Sequence, residues 1–204
     1  MCAIHLPLVA VLIASLVSNA SSDVQLKPTK VILVKNPTTG VLSAHQRKIV
    51  WKVKELASAN TVTGSPLTSG ATLRVAREPF SNSQCFDLPA VNWSAISTIG
   101  FLYKDADLSE GPVKVALIKK APTGVFVIKV VLSSKRRVIE VTPGSPTLSY
   151  SVNLKMGGGD EYCSGSGTAT PLRNDARVFK VVNDSTPASC GVSACSPSGA
   201  FVDG

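Results

Sequence analysis

Histidine is almost absent from this chain of 204 residues, which contains only His5 and His45. A Ser-His-Asp triad needs a histidine to move the proton, and zinc-dependent catalysis draws most of its ligands from histidine. His45 lies in the polar segment 43–48 without a nearby G-x-S-x-G motif, which is typical of a solvent-exposed loop residue. The composition therefore predicts a protein that is not an enzyme, with no catalytic residues and no cofactor.

Acidic residues are also scarce, since 13 Asp and Glu stand against 21 Lys and Arg. A pair of carboxylates can hydrolyse glycosides without histidine. Only two groups of acidic residues lie close together in the sequence, namely Asp105, Asp107 and Glu110, and Asp160 with Glu161. Both groups fall in predicted turns, so a carboxylate-based hydrolase is the least favoured of the functions considered.

The first acidic group has a spacing that resembles a calcium-binding loop. Oxygen donors recur there at nearly alternate positions, the pattern that a hard cation prefers. However, Gly111 stands one place too late for an EF-hand loop, and Ala116 occupies the position of the bidentate glutamate. We therefore expect an acidic turn and no metal, with a weak calcium candidate formed by Asp105, Asp107, Ser109 and Glu110.

Long apolar runs are missing as well. The longest, Leu6–Val17, is shorter than the roughly 20 residues that span a bilayer. It follows a short polar start and precedes the small residues Ser18–Ala20, as in a secretory signal peptide cleaved after Ala20. No Lys or Arg precedes the run, which leaves an uncleaved anchor as the alternative. We expect residues 1–20 to be a signal peptide, a mature chain without a transmembrane segment, and an extracellular or periplasmic location.

The chain has few cysteines, and Cys2 lies in the predicted signal peptide. Four cysteines in an exported protein usually form two disulfides. Cys190 and Cys195 lie five residues apart without a nearby histidine, which is unlike a zinc motif. Three connectivities are possible; the favoured one joins Cys163 to Cys190, closing the last strands, and Cys85 to Cys195.

What the sequence does contain is alternation of apolar and polar residues with a period of two, which predicts β-strands. No helical period of ten residues or more is present. Alternation is clear around 48–54 and 147–156 and weaker at 71–77 and 113–119. Two nearly continuous apolar runs, Val31–Val34 and Val125–Leu132, predict strands that are buried on both faces. The fold class is all-β.

The sequence also repeats itself. Lys30–Val41 aligns without gaps on Lys114–Val125. Weaker matches continue in the same order and include Arg47–Lys48 with Arg136–Arg137, Cys85 with Cys163, and Tyr103–Lys104 with Phe179–Lys180. We expect an antiparallel β-sandwich over 29–184, built from two similar halves of about 30–107 and 114–184. Two tandem small β-sandwich domains are the alternative. Residues 21–28 form a polar lead-in, and 185–204 form a Ser/Pro/Gly-rich tail that contains Cys190 and Cys195.

The net charge of +8 supplies the main functional hypothesis. A clustered basic surface attracts anionic glycans, lipid headgroups or nucleic acid. We expect a non-enzymatic protein whose basic face binds an anionic glycan or envelope surface. The alternative is a structural or adhesion module that makes protein contacts. Nucleic acid is disfavoured because no aromatic-basic motif is present, and Trp51 and Trp93 are predicted to be core residues. The anion-binding candidates are Lys48, Lys52, Lys54, Lys119, Lys120, Lys135, Arg136 and Arg137.

Several short motifs lie between Gly70 and Cys190, namely Trp93, Phe101–Asp105, Gly111–Lys114, Gly157–Asp160, Tyr162–Cys163, Phe179–Lys180 and Pro187–Cys190. With these motifs the region resembles a loose group of exported bacterial β-rich proteins without an assigned activity. The resemblance implies export, an all-β fold and a Cys163–Cys190 disulfide, but no active site. Cys85 and Cys195 lie outside the resembling pattern.

Overall fold

The computed structural model describes residues 23–37, 43–78, 82–144, 149–190 and 195. The predicted signal peptide and most of the predicted tail beyond Cys190 lie outside this part of the chain. The described strands are β1 Val24–Leu26, β2 Thr29–Lys35, β3 Lys48–Glu55, β4 Ala71–Glu78, β5 Asn82–Leu88, β6 Trp93–Ile96, β7 Gly100–Lys104, β8 Val113–Lys120, β9 Phe126–Ser133, β10 Ser149–Met156, β11 Glu161–Gly165, β12 Arg173–Asn174 and β13 Val178–Asp184. The helical segments are α1, Pro66–Ser69, and two single 3-10 turns, Ser43–Gln46 and Ala90–Asn92.

The strands form two sheets. The smaller sheet has five strands in the order β1-β11-β10-β4-β5, and the larger has eight in the order β12-β13-β2-β3-β9-β8-β7-β6. The strand pairs are antiparallel apart from β1 and β11, which run parallel. The prediction of an all-β, sandwich-like fold is therefore confirmed.

The hydrophobic core lies between the two sheets. The indole nitrogen of Trp51 on β3 donates to the hydroxyl of Ser164 on β11 at 2.5 Å. The rings of Tyr150 on β10 and Phe179 on β13 also meet across the sandwich, with 4.7 Å between their centroids. Trp51 has no exposed surface and Trp93 is 6 % exposed, so both tryptophans are core residues, as predicted.

The order of the strands is symmetric. Each of the strands β2 to β7 has an equivalent six places later, among β8 to β13. Exchanging equivalent strands reverses the strand order of each sheet, and β1 is an additional edge strand. The centre of the symmetry lies between β3 and β9 in the larger sheet and between β4 and β10 in the smaller one. This is the arrangement expected of two similar halves related by a two-fold axis through the sandwich.

An irregularity in the hydrogen-bond register recurs at the same place in both halves. The ladder between β2 and β3 shifts between Thr29 and Val31, and that between β8 and β9 shifts between Val113 and Val115. These positions have one offset, since 113 − 29 = 115 − 31 = 84. The aligned segments beginning at Lys30 and Lys114 have this offset too. Because a β-bulge is a specific backbone feature, its repetition supports the equivalence of the two hairpins.

The halves are interleaved and do not form separate domains. The last strand of the first half, β7, pairs with the first strand of the second half, β8, and β13 of the second half pairs with β2 of the first. Each sheet thus contains strands from both halves, in contrast to the tandem-domain alternative. One of the matches between the halves is also wrong. Arg47 directly precedes β3 and Lys48 begins it, whereas Arg136 and Arg137 follow β9.

Two segments differ from their predicted structure. The polar lead-in contains β1, which adds an edge strand to the smaller sheet. The runs Val31–Val34 and Val125–Leu132 are not buried on both faces, because alternate residues such as Val31 and Val131 are only half-buried. The reason is that, within the described residues, the larger sheet packs against the core with one side, and its aliphatic residues on the other side are shielded by neighbouring side chains.

The cysteines pair as the favoured connectivity predicts. Cys163 on β11 is joined to Cys190, with 6.2 Å between their Cα atoms, and Cys85 on β5 to Cys195, at 5.9 Å. These separations are usual for disulfides. Both bonds fasten residues beyond β13 to the five-stranded sheet.

Candidate anion-binding face

The outer side of the eight-stranded sheet is the candidate site. Side chains alternate between the two sides of a strand, so the buried Ile49, Trp51 and Val53 of β3 point towards the five-stranded sheet. Lys48, Lys52 and Lys54 consequently point away from it. We call the outward-pointing side chains of the larger sheet the basic face.

Lysines dominate the polar part of the basic face. Lys52 on β3 and Lys129 on β9 are direct cross-strand partners at the centre of the sheet. Both are exposed, and like charges in this relation repel each other. The strands of the face supply seven further basic side chains, Lys35, Lys48, Lys54, Lys104, Lys119, Arg173 and Lys180.

No carboxylate compensates this charge on the strands of the basic face, within the residues described. Glu55 at the end of β3 has the parity of the buried residues and binds Lys27. Asp184 at the end of β13 is buried. Asp175 lies in the turn between β12 and β13, where it pairs with Arg173 at 2.9 Å. The centre of the face therefore carries positive charge without an acidic partner.

Aliphatic side chains lie between the lysines. One row across the sheet runs from Val31 through Lys52 and Lys129 to Leu117, and the next contains Leu33 and other valines. These aliphatic residues are half-buried although no strand or helix among the described residues packs over them. The methylene stems of neighbouring lysines can shield them while the ammonium groups stay in water. The face is therefore both cationic and partly apolar.

The predicted anion-binding residues are divided among three places. Lys48, Lys52, Lys54 and Lys119 lie on the basic face. Lys120 has the parity of the core side at the end of β8 and borders a small pocket. The exposed run Lys135–Arg137 lies in the turn after β9, outside the strands.

Four lysines of the basic face were not among the residues predicted from the sequence, namely Lys35, Lys104, Lys129 and Lys180. Lys129 interrupts the run Val125–Leu132, and it could have shown that this strand has a solvent-facing side. Lys104 lies on β7 and Lys180 on β13, on opposite sides of the four central strands β2, β3, β9 and β8. Their convergence on one face depends on strand order, which a single strand does not encode.

The acidic turn after β7 is held by hydrogen bonds to its own Asp105 carboxylate. One oxygen of the buried Asp105 carboxylate accepts the backbone N–H of Ser109, and the other accepts that of Glu110, each at 3.0 Å. Burial acts to raise the pKa of Asp105, but these N–H groups outweigh it and hold the pKa below its ordinary value. The carboxylate thus closes the turn. Among the described residues, no three His, Cys, Asp or Glu side chains are grouped as a metal site requires.

The second acidic pair also makes structural contacts. The Asp160 carboxylate accepts from the side chain of Gln25 and the backbone of Asp23, which holds β1 in place. Glu161 is 6 % exposed and accepts from the side-chain amide of Asn153 at 2.5 Å. Both carboxylates thus hold neighbouring strands together.

A cleft of about 470 Å³ lies beside β5. Its described lining contains one carboxylate, that of Glu110, together with the guanidinium of Arg137 and the aromatic ring of Phe86. His45 is not part of it; it is exposed, and its Nδ1 lies 3.3 Å from the carbonyl oxygen of Ser134. This cleft therefore brings together neither a carboxylate pair nor a histidine and a nucleophile.

Fold and site together define a β-sandwich with a cationic, partly apolar outer sheet. No protein-family model, curated protein or solved structure matches the chain. The resemblance to exported bacterial β-rich proteins stays a prediction. In the part of the chain that the structure describes, every helix is too short to cross a membrane.

Proposed function

We propose that this protein is a non-enzymatic, exported β-sandwich that binds an anionic surface polymer through its basic face. The observation that carries the proposal is the opposed pair Lys52 and Lys129, which lies at the centre of a face whose described strands present no carboxylate. The two disulfides support a location outside the reducing cytoplasm.

The ammonium groups of Lys52 and Lys129 extend from directly opposed positions and repel each other. An anion that lies across the sheet removes this repulsion and gains attraction from the lysines on either side. Such binding releases counterions and must weaken as salt is added.

The test compares two variants that each lose two positive charges. Lys52→Gln with Lys129→Gln removes the centre of the face, whereas Arg136→Gln with Arg137→Gln removes charge from the turn after β9. We expect the first variant to elute from a heparin column at clearly lower salt than the native protein, and the second to elute near it. Equal elution of the two variants, or retention that added salt does not weaken, contradicts the proposal.

A second candidate ligand is an anionic lipid surface, and the aliphatic rows between the lysines favour it. A polymer that carries charge alone gains no apolar contact with Leu33 and Leu117. A membrane interface, in contrast, accommodates apolar side chains beside basic ones. Basic residues near an anionic bilayer contribute about 1 kcal/mol each.

Vesicles separate the two candidates. If lipid is the ligand, Leu33→Ser with Leu117→Ser should weaken binding to phosphatidylglycerol vesicles about tenfold, because apolar area is lost from the contact. The same variant should bind heparin as the native protein does. If both probes respond only to the lysine changes, the ligand is a polyanion and the aliphatic rows are structural.

A further inference from the structure

Lys27 is a lysine with no exposed surface, and it lies directly after β1. Its Nζ atom is 3.0 Å from a carboxylate oxygen of Glu55 and 2.8 Å from the side-chain carbonyl oxygen of Asn60. It also lies 4.4 Å from the centroid of the Phe126 ring, and the hydroxyl of Ser58 is 3.3 Å away. The amine is thus enclosed by a carboxylate, a carboxamide and an aromatic ring.

These three side chains have the chemical roles that amide formation requires. The amine of Lys27 is a nucleophile, the carboxamide of Asn60 is an acyl group whose leaving group is ammonia, and Glu55 can carry a proton between them. Burial acts to raise the pKa of Glu55, but the hydrogen bonds from Ser58 and Lys27 outweigh it and lower the pKa from its ordinary value. Glu55 is therefore ionised, and its carboxylate oxygen lies 3.0 Å from Nζ of Lys27, in position to receive a proton from it.

We propose that Lys27 and Asn60 form an intramolecular isopeptide bond. Glu55 takes a proton from the Lys27 ammonium group, and the resulting amine attacks the side-chain carbonyl carbon of Asn60. A new C–N bond forms, the bond from this carbon to the Asn60 amide nitrogen breaks as Glu55 returns its proton to the departing nitrogen, and the second proton lost by the attacking nitrogen converts the released ammonia to ammonium. The products are the Lys27–Asn60 amide and one ammonium ion, and no oxidant or reductant is needed.

The surroundings favour this reaction. Fixing a nucleophile beside its acyl group replaces a bimolecular encounter and can lower a barrier by about 7–11 kcal/mol when the geometry is close to that of attack. The contact of Nζ with the carbonyl oxygen brings it to the carbonyl group it must attack, and a rotation of the Asn60 side chain would present the carbon. Because Lys27 is fully buried, water has little access to its amine.

The bond would have a definite structural effect. Lys27 connects the edge strand β1 to β2, and Asn60 lies in the loop that leaves β3 for the other sheet. The crosslink would join these segments covalently and, unlike the two disulfides, would resist reduction. It is independent of the basic face, since both side chains lie outside that face.

Intact-mass spectrometry of the native protein, denatured and with its disulfides reduced, tests the proposal directly. We expect a mass lower by one ammonia than that of the processed sequence, and a protease digest that contains one branched peptide joining Lys27 to Asn60. A native protein with its full sequence mass overturns the proposal, and the cluster is then a non-covalent ion pair. A lost ammonia without the branched peptide overturns it as well.

Variants identify the reacting groups. Lys27→Arg should restore the full mass, and its failure to do so would assign the lost ammonia to a cyclised asparagine elsewhere and overturn the proposal. Glu55→Gln should slow the reaction, leaving uncrosslinked protein. Asn60→Asp has no side-chain amide nitrogen to release, so the loss of ammonia should disappear, and a loss that persists overturns the proposal. Asn92→Asp serves as the control and should keep the loss of ammonia.

Discussion

Two buried aspartates have matching roles at the ends of two equivalent strands. Asp105 follows β7 and binds the N–H groups of Ser109 and Glu110, while Asp184 ends β13 and binds the N–H group of Ala169 at 3.0 Å. Each carboxylate accepts hydrogen bonds from the backbone of the neighbouring loop and so fixes the conformation of that loop. Short sequence motifs suggested a cation for the first of them, but N–H donors occupy the positions that a cation would need.

The Asp105 carboxylate should make a pH-dependent contribution to stability. Asp105→Asn replaces one accepting oxygen with an NH₂ group, which leaves a backbone N–H without an acceptor, so we expect a loss of about 1–3 kcal/mol in the free energy of unfolding at pH 7. The pKa of Asp105 is lowered by folding, so the contribution of its charge is present above about pH 4, the value in the unfolded chain, and is lost as the pH falls through the folded pKa.

Urea unfolding at several pH values measures this effect. The difference between the native protein and Asp105→Asn should shrink as the pH is lowered from 7 to below 3. Glu140→Gln is the control, because its side chain is exposed, and it should change little over this range. A difference that stays constant with pH would mean that the charge of Asp105 contributes nothing to stability.

At the scale of the element, strands with an apolar face could be predicted and strands without one could not. The alternation in β3, β4, β8 and β10 marks a sheet with one side on the core. In β5 the alternation is weak because its outer positions are polar and only Phe86 and Leu88 are buried. Most of β11 is buried on both sides although it contains Glu161, Cys163 and Ser164, since Asn153, Cys190 and Trp51 supply their partners. These partners come from distant segments, so local sequence could not reveal the strand.

The two disulfides should stabilise the fold to different extents. Cys85 and Cys195 are separated by 110 residues, and Cys163 and Cys190 by 27. Loop-closure entropy in the unfolded chain predicts contributions of about 5 and about 3.5 kcal/mol respectively. Cys85→Ser with Cys195→Ser should therefore lower the denaturation midpoint more than Cys163→Ser with Cys190→Ser.

Chemical denaturation of the two double variants provides the measurement. The fully reduced native protein serves as the reference and should be less stable than either variant. The reverse order of the two variants would show that contacts made by the bonded segments, and not the length of the closed loop, determine the contributions.

At the scale of the molecule, only part of the basic face could be predicted from the sequence. Alternation placed Lys48, Lys52 and Lys54 on one side of β3, which is correct because it depends on a single strand. The opposition of Lys52 and Lys129 depends on the pairing of β3 with β9, whose residues are separated by most of the first half. β3 and β9 pair because the two halves are related by a two-fold axis. The sequence repeat indicated two similar halves, but it did not determine which strands of the two halves become neighbours.

The interleaving of the halves has a consequence for how they fold. In a chain restricted to the first half, β2 lacks β13, β3 lacks β9, and β4 lacks β10. The second half lacks the same contacts from the other side. Each half would therefore expose the edges of both sheets together with core residues such as Trp51 or Phe126.

A chain cut between Glu110 and Gly111, in the loop that joins β7 to β8, should consequently assemble from its two fragments. We expect each fragment alone to be unfolded or to self-associate through its exposed edges, and a mixture to give a one-to-one complex with the circular dichroism of the intact protein. Under oxidising conditions the complex should become covalent, because Cys85 and Cys195 lie in different fragments. A fragment that folds as a stable monomer would show that the pairing of strands across the halves is not essential. That result would favour the alternative of two tandem domains.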